Sequence, residues 1–591
     1  MRTHPWLTRL LLPALLLFAP GHAPALEVQS HFFGFDGTAA PGRVSMLSVQ
    51  LVNASSQVYD GPVAVSTAGA MGGVNGVPQE INVFLAPGAS RWIQTPVLVD
   101  PSSYFDGGVL VEWDLDSPFR GSQKLDAPKA GPPATVYLSD EGNPLAARPR
   151  VQAFQENLWP TSLDPVAGGL HAVVMDHAPR WEAIREQVFM DWLRLGGVVH
   201  LLHGTDDRPP VFSGALTPLN DPAESFRIGA GRVHRHAVRA AALKPEDLAL
   251  RAGPSPAFTA EQDNANGLQE RGDTNNINQM VFDALRNRIK PDHAWGLITL
   301  VLLVYIVLIG PGTTLLARRW KNSRGALLFF CLVVAGASLI VYRIGRRGYG
   351  ESTRCLSMIH ARHTGAPGPV SVRQWMHVFS TNGRRYELRH PLKPVWFHSQ
   401  SRERIRGTFR GGGDGRFTID MPVFSSVDYL AGGYREMPDF RPVVELDKNR
   451  RLVLRREQSV LPPGTTSVYV VVPGEELQSL LAGGDILSGL ARREQMLNQW
   501  GRDSLANNVN ALGDFESATR VIAAALLLEI GAPNTFHQTR ILNEREQVLR
   551  VFAIAPAPDG SGLANPEFTA HDGLVIHEAA LPLPLSREAR P

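Results

Sequence analysis

Residues 295–316 read WGLITLVLLVYIVLIGPGTTLL, and residues 326–342 read ALLFFCLVVAGASLIVY. Neither stretch contains Asp, Glu, Lys or Arg. The first, as a helix rising 1.5 Å per residue, is roughly 33 Å long, enough to cross a hydrocarbon core of about 30 Å. The second lies at the short end of spanning length. Trp295 and Trp320 bracket the first run, as interfacial aromatics do. Gly310-Pro311-Gly312 is expected to kink or end it. Residues 317–325 carry Arg318, Arg319, Lys321 and Arg324 and are too short to be a domain. The two runs therefore read as a transmembrane hairpin with a basic link. Uninterrupted apolar stretches of this length are rare in soluble cores.

The basic residues do not orient the hairpin alone. The link has four, and Arg343, Arg346, Arg347 and Arg354 follow the second run, so the positive-inside bias is nearly balanced. The amino terminus breaks the tie. Residues 1–25 combine Arg2 and Arg9, an apolar run over 10–19 interrupted by Pro13, and small residues Ala23 and Ala25, the pattern of a cleavable export signal. Export of residues 26–290 makes the link at 317–325 cytoplasmic and returns residues 343–591 outside. The expected location is a bacterial inner membrane with the bulk of the chain periplasmic.

A chain of 591 residues with 44% hydrophobic and 19% charged residues is too long for one core and too polar for a polytopic transporter. The net charge of +2 and the lack of a basic stripe give no reason to expect nucleic acid. The two cysteines, Cys331 and Cys355, stand in no metal-ligand spacing and suggest no disulfide framework.

Residues 26–130 read as a β-sandwich. Strands are expected near 44–52, 63–65, 81–85, 92–99 and 109–113, with a turn at Pro87-Gly88. Residues 131–255 change rhythm. Strands are expected at 134–138 and 169–175, a helix over 180–195 with Trp181, Ile184, Val188, Phe189, Trp192 and Leu193 on one side, then Gly196-Gly197 and a strand at 198–202. That is a βαβ succession and implies parallel strands. Residues 256–294 form a polar linker, Asn/Gln-rich around 261–267, that becomes a helix feeding the membrane. Arg271-Gly272-Asp273 within it is too short a match to an adhesion tripeptide to count. Residues 343–591 read as a β-rich domain with helical insertions. The strands fall near 370–372, 375–379, 416–420, 441–446, 451–454, 467–472, 548–554 and 574–578, and the helices at 475–481, 485–500 and 514–530. The glycines at 411–413 and 415 form a turn rather than a phosphate loop, since no Gly-Lys-Ser/Thr follows.

The stretch DWLRLGGVVHLLHG, residues 191–204, resembles the helix, Gly-Gly, strand element of class I glutamine-amidotransferase-like domains and of non-catalytic flavodoxin-like domains in bacterial envelope proteins. The resemblance covers roughly 131–255. The enzymes place a cysteine on the turn after such a strand; here His203-Gly204-Thr205 stands there and the domain has no cysteine, so the nucleophile is absent. Ser213-Gly214 lacks the Gly-x-Ser-x-Gly elbow. His200, His203, Asp206 and Asp207 are close enough to suggest a metal, but on a strand His200 and His203 point to opposite faces. His234 and His236 share a face of an extended segment, an arrangement more often structural. The wider order is similar to uncharacterised bacterial inner-membrane proteins that pair an exported β-sandwich and a degenerate amidotransferase-like domain with such a hairpin. Gly310-Pro311-Gly312-Thr313-Thr314 replaces the Gly-Pro-Leu-Asn-Tyr common in that group. The resemblance implies partners among envelope proteins, including a MoxR-type AAA ATPase system, in addition to the lipid bilayer.

The expected fold is thus a multidomain α+β membrane protein: β-sandwich, flavodoxin-like α/β domain, two-helix hairpin and a carboxy-terminal β-rich domain. No catalytic, cofactor-binding or metal-binding residue is assigned. The expected function is that of a non-enzymatic scaffold or binding component. A divergent hydrolase or amidotransferase would need a His and a carboxylate converging near 200–207. A carbohydrate- or peptidoglycan-binding protein would need exposed aromatic platforms.

Overall fold

The computed structural model describes residues 26–39, 43–69, 74–98, 106–113, 121–130, 133–140, 151–243, 295–320, 323–348, 353–399, 405–411, 415–446, 452–471, 478–481 and 548–582 (564 and 569 excepted). It also describes Asn278, Val281, Phe282, Leu285 and Arg286. The export signal read at 1–25 and the helices expected at 485–500 and 514–530 lie outside these residues.

The molecule is β-rich and organised around three large sheets. In the amino-terminal region, the sheet of Leu26–Phe33, Ser45–Asn53 and Ser90–Val97 faces the strands Tyr59–Gly69, Val74–Leu85, Asp106–Trp113 and Gly121–Leu125. Alternate residues Leu47, Val49 and Leu51 from one layer meet Val63, Val65, Val109 and Val111 from the other in a dry core. That is the two-residue period of a strand with one buried face. The expected strands therefore form, mostly longer than the apolar runs that announced them.

The second layer does not stop at residue 130. Strand Gly407–Arg410 adds to Val74–Leu85 in parallel, Phe409 opposite Gln79 and Arg410 opposite Glu80. It brings Arg416–Met421 and Arg384–Arg389 with it, giving one seven-stranded sheet. Arg410 Nε also donates to Glu80 Oε2 at 2.9 Å. Backbone hydrogen bonds thus join chain that precedes the hairpin to chain that follows it.

The largest sheet has eight strands and comes from the carboxy-terminal region. At its centre Arg354–His363 lies between Val370–Ser380, antiparallel, and Ala570–Pro582, parallel. The segments 370–372 and 375–379, read as two strands, are one continuous strand, Val370–Ser380. Residues Gln478–Leu481, expected within a helix, form an edge strand against Ser467–Val471. Its apolar spacing fits helix and strand alike over so short a window, and an open sheet edge decides it.

The α/β region contributes a six-stranded sheet in the order Gln152–Gln155, Ala134–Ser139, Leu170–Met175, Val198–His203, Gly231–Arg239, Ser225–Ile228. All pairings but the last are parallel. Helix Ala183–Arg194 covers one face and buries Val188, Phe189, Trp192 and Leu193 with Trp159 and Trp181. Phe35 from the amino-terminal region and Tyr434 from the carboxy-terminal region enter the same core.

These regions are also locked by charge. Asp164, on the short helix Leu163–Gly169, is 1% exposed as a side chain. It accepts from Arg373 Nε at 3.0 Å and Nη2 at 2.8 Å, from Arg362, and, through Oδ2, from Trp396 Nε1 at 3.1 Å. Burial alone would raise its pKa, but the two guanidiniums override that and hold it down at about 2. Gly432 makes the approach possible, since a Cβ there would lie 2.6 Å from Asp164 Oδ2 and 2.2 Å from Trp396 Nε1. Thr364 Oγ1 adds a bond to Asp191 Oδ1 at 3.2 Å on the neighbouring helix.

The apolar hairpin stands apart from this body. Helix Trp295–Val307 runs through a π-helical turn at Leu308–Gly312 into helix Thr313–Trp320, and both helices pack against Ser323–Gly348. Pro311 removes one backbone donor, and the chain answers by widening the turn rather than ending the helix. Thr314 Oγ1 donates to the Pro311 carbonyl at 2.8 Å. The expected link at 317–325 is therefore largely helical: Arg318 and Arg319 sit in a last helical turn and Arg324 near the next helix's start. One helix, Thr299–Arg319, is long and apolar enough to cross a membrane; the apolar part of the second, Leu327–Ile340, is shorter. Most of the large exposed apolar side chains among the described residues lie here, among them Leu302, Leu303, Val307, Leu328 and Leu332.

The segment leading into the hairpin docks on the large sheet. Asn278, Val281, Phe282, Leu285 and Arg286 are helical, and their i, i+3, i+4, i+7, i+8 spacing puts them on one stripe. Val281 and Phe282 are fully buried. Trp375 Nε1 donates to Asn278 Oδ1 at 2.7 Å, and Arg286 Nε donates to Asp428 Oδ2 at 2.6 Å. The second oxygen of Asp428 lies 2.5 Å from His377 Nδ1.

Candidate functional site at the carboxyl ends of the parallel strands

In the six-stranded sheet the chain order reverses about Ala134–Ser139: its sequence successor Gln152–Gln155 lies on one side and Leu170–Met175 on the other. Connections leaving such neighbours diverge and open a crevice beyond the strands' carboxyl ends, where ligands of open α/β sheets bind. Three titratable residues are delivered there. Glu156 follows the strand Gln152–Gln155, and Asp176 and His177 follow Leu170–Met175.

They form a chain of polar contacts. His177 Nδ1 lies 2.8 Å from Asp176 Oδ1, and its Nε2 lies 3.2 Å from Glu156 Oε2. The Tyr137 hydroxyl donates to Asp176 from within the strand. Trp181 Nε1 donates to the Glu156 carbonyl at 2.8 Å and fixes the backbone from which that carboxylate projects. Arg185 Nε holds the Trp159 carbonyl at 2.8 Å and steadies the adjoining turn. The His177 side chain is 26% exposed, against 15% for Asp176 and 9% for Glu156, so the imidazole is the member that water reaches most.

Burial disfavours the charged imidazole, but the carboxylates of Asp176 and Glu156 outweigh it and raise the His177 pKa. The same contacts, with the Tyr137 hydroxyl, lower that of Asp176 against its burial. Tyr137 itself is raised, by burial first and then by the adjacent carboxylate. The two carboxylates thus favour the imidazolium form, in which each ring nitrogen can donate to one of them.

This disposition limits the chemistry. A base serving a Ser or Cys nucleophile keeps one nitrogen on an orienting carboxylate and turns the other toward the nucleophile. Both His177 nitrogens are engaged by carboxylates. Ser139, at the end of strand Ala134–Ser139, donates its hydroxyl to the Phe154 carbonyl at 3.2 Å. The cluster presents two carboxylates and an imidazole held between them at the carboxyl ends of the parallel strands.

His200 and His203 do point to opposite faces of Val198–His203. His200 is buried against His236, Nδ1 to Nε2 3.0 Å, and stacks on His234 at 5.5 Å between ring centres, whereas His203 is partly exposed. Asp207 lies 3.8 Å from His203 and accepts from Arg239 Nε at 3.0 Å, and Asp206 receives the Arg208 amide at 3.2 Å. Asp206 and Asp207 thus belong to a loop turn and do not converge with His200. Among the described residues no group of three or more His, Cys, Asp and Glu side chains is arranged to hold a metal ion. Of the tryptophans with described side chains, Trp113, Trp159, Trp181, Trp192, Trp375 and Trp396 are buried, which counts against a carbohydrate platform built on them. Sequence reading stopped at Met175 and so missed Asp176 and His177. The signal was present as an Asp-His pair directly after a wholly apolar strand.

No protein-family profile matches the chain, and no curated protein matches it. Among solved structures, it is similar over 30% of its length to a Paenibacillus sp. cycloisomaltooligosaccharide glucanotransferase complexed with cycloisomaltoheptaose, at 13% identity and a TM-score of 0.14. The match spans 28% of that enzyme, and a likeness of this degree carries no argument about fold or activity.

Proposed function

We propose that the chain is a membrane-anchored, non-enzymatic envelope protein that serves as a scaffold or binding component of an inner-membrane complex, its body in the periplasm. The observation that carries this reading is the interlocking of chain from either side of the hairpin into one body. Strands Val74–Leu85 and Gly407–Arg410 share a sheet, and Asp164 is held by Arg362 and Arg373. Both ends of the hairpin then leave the body on one side of the bilayer, which requires an even number of crossings. The outward apolar side chains of the hairpin suit lipid, where water would penalise them.

Within this reading the α/β region is a flavodoxin-like, amidotransferase-like domain that has lost its nucleophile, and the amino-terminal layers are a β-sandwich. The doubly engaged His177 supports binding over hydrolysis. The partners are other envelope proteins, including a MoxR-type AAA ATPase system. Reporter fusions after residues 290, 322 and 591 test the arrangement, with outside, inside and outside expected. Reporters at 290 and 591 on opposite sides of the membrane would overturn it, as would full-length protein that stays monodisperse without detergent.

A further inference from the structure

Both connections to the hairpin reach the body at one end of the large sheet. On the way in, Arg286 is pinned to Asp428, nine residues before Trp295. On the way out, helix Ser323–Gly348 is followed by strand Arg354–His363, and six backbone steps span at most about 20 Å. Arg354 pairs with Phe379, and Phe379 pairs with Ser426. With strands about 4.8 Å apart, Ser426 lies roughly 10 Å from the start of the exit strand. Thr353 and Thr381 hydroxyls, 3.1 Å apart, close the same end.

That end carries an apolar turn. Between Arg416–Met421 and Ser425–Arg435, the chain exposes Val423 and Phe424 in succession, at 58% and 46%. Elsewhere outside the hairpin, the large exposed apolar residues among those described are single: Val58, Phe84, Val211, Val453 and Val460. Phe424 has φ of 55°, a left-handed conformation that a bulky side chain rarely adopts. The fold keeps both side chains at the surface in spite of that backbone conformation. The turn is braced from below, since a Cβ at Gly383 would lie 2.8 Å from Val423 Cγ2. Arg384 and Arg385 flank it, the first pairing with Glu567 and the second 3.9 Å from Asp420, both largely in solvent. An apolar tip flanked by exposed arginine–carboxylate pairs has the chemistry of a segment that seats at the headgroup boundary of a bilayer.

We infer that the Val423–Phe424 turn dips into the bilayer that the hairpin crosses and makes a second, peripheral contact that fixes the tilt of the body on the membrane. This rests on the hairpin being membrane-embedded, as proposed above. The occupant is lipid: both hairpin connections hold this end of the sheet within tens of ångströms of the bilayer surface.

The test uses full-length protein, one copy per lipid nanodisc, with nitroxide labels at single cysteines. Cys331 is replaced by Ala; Cys355 stays, since it is fully buried and burial pushes its thiol up to about 12. Labels are placed by Val423→Cys, by Phe424→Cys as a second site in the turn, by Leu303→Cys in the hairpin and by Val211→Cys, 82% exposed on the α/β domain. Collision with oxygen is compared with collision with a water-soluble nickel chelate. The expected result is a ratio of oxygen to nickel collisions at 423 or 424 several-fold above that at 211 and approaching that at 303. A ratio at both turn sites equal to that at 211, with 303 in lipid, overturns the inference and leaves the hairpin reading intact. A label at 303 that collides freely with nickel overturns the hairpin reading and this one with it. Turn labels shielded from both reagents mean a protein surface covers the turn, and also overturn the inference.

Discussion

Two charge clusters in this molecule use the same ingredients to opposite ends. At Asp164 one carboxylate meets Arg362 and Arg373 in near-complete burial, each from a different strand of the large sheet. At His177 two carboxylates meet one partly exposed imidazole at the carboxyl ends of the parallel strands. In the first, every lone pair of consequence is spent inside the protein, and the cluster joins regions far apart in sequence. In the second, a cation that water can reach is left beside carboxylates, and the cluster closes no interface. Deep burial of a carboxylate between two guanidiniums makes a lock, whereas partial exposure leaves the imidazole within reach of water and free to titrate.

The sharpest way to break the comparison is Asp164→Ala. It leaves two guanidiniums buried without their carboxylate, and removing one partner of a buried ion pair costs about 3–5 kcal/mol. We expect a loss of that size in chemical denaturation of the detergent-solubilised protein; a change under 1 kcal/mol would mean Asp164 is not a lock. Gly432→Ala attacks the same lock through space, because the new methyl must displace Asp164 or Trp396, and overpacking of this kind costs about 1–3 kcal/mol.

Titration sharpens the contrast. Asp164 has a folded pKa held down at about 2, so its contribution is present above the ordinary carboxylate range and is lost as pH falls from about 4 toward 2. His177 has a raised folded pKa, so its contribution is full below the ordinary imidazole value near 6.5 and is lost as pH rises through the folded one. His177→Gln should therefore cost about 1 kcal/mol, scaled down for its exposure, and only on the acid side of that window. Equal losses at pH 5.5 and pH 9 would show that the imidazolium is not the stabilising form. Smallest of all is Arg385→Ala, which removes a solvent-exposed pair at 3.9 Å and should leave thermal unfolding unchanged within error.

Local elements were largely legible because their causes are local. The runs at 295–316 and 326–342 announce helices by apolar length, Gly196-Gly197 marks the end of helix Ala183–Arg194, and the apolar stretch before it marks strand Leu170–Met175. Where a window was short, as at Gln478–Leu481, period could not choose between helix and strand, and the partner strand Ser467–Val471 chose. The candidate site was half legible: absence of a cysteine nucleophile is a property of the sequence, whereas Glu156 meets His177 across 21 residues only through the reversal of strand order.

The amino-acid order by itself determined that an uncharged apolar hairpin exists and that β structure surrounds a βαβ core, since hydrophobic periodicity and turn residues act between near neighbours. Only the tertiary structure decided that chain before and after the hairpin builds one body. The contacts responsible, Gln79 with Phe409 and Asp164 with Arg373, join residues more than two hundred positions apart. Such pairings leave no periodic trace, because each is a single meeting of surfaces whose closure entropy is repaid only when the whole fold assembles.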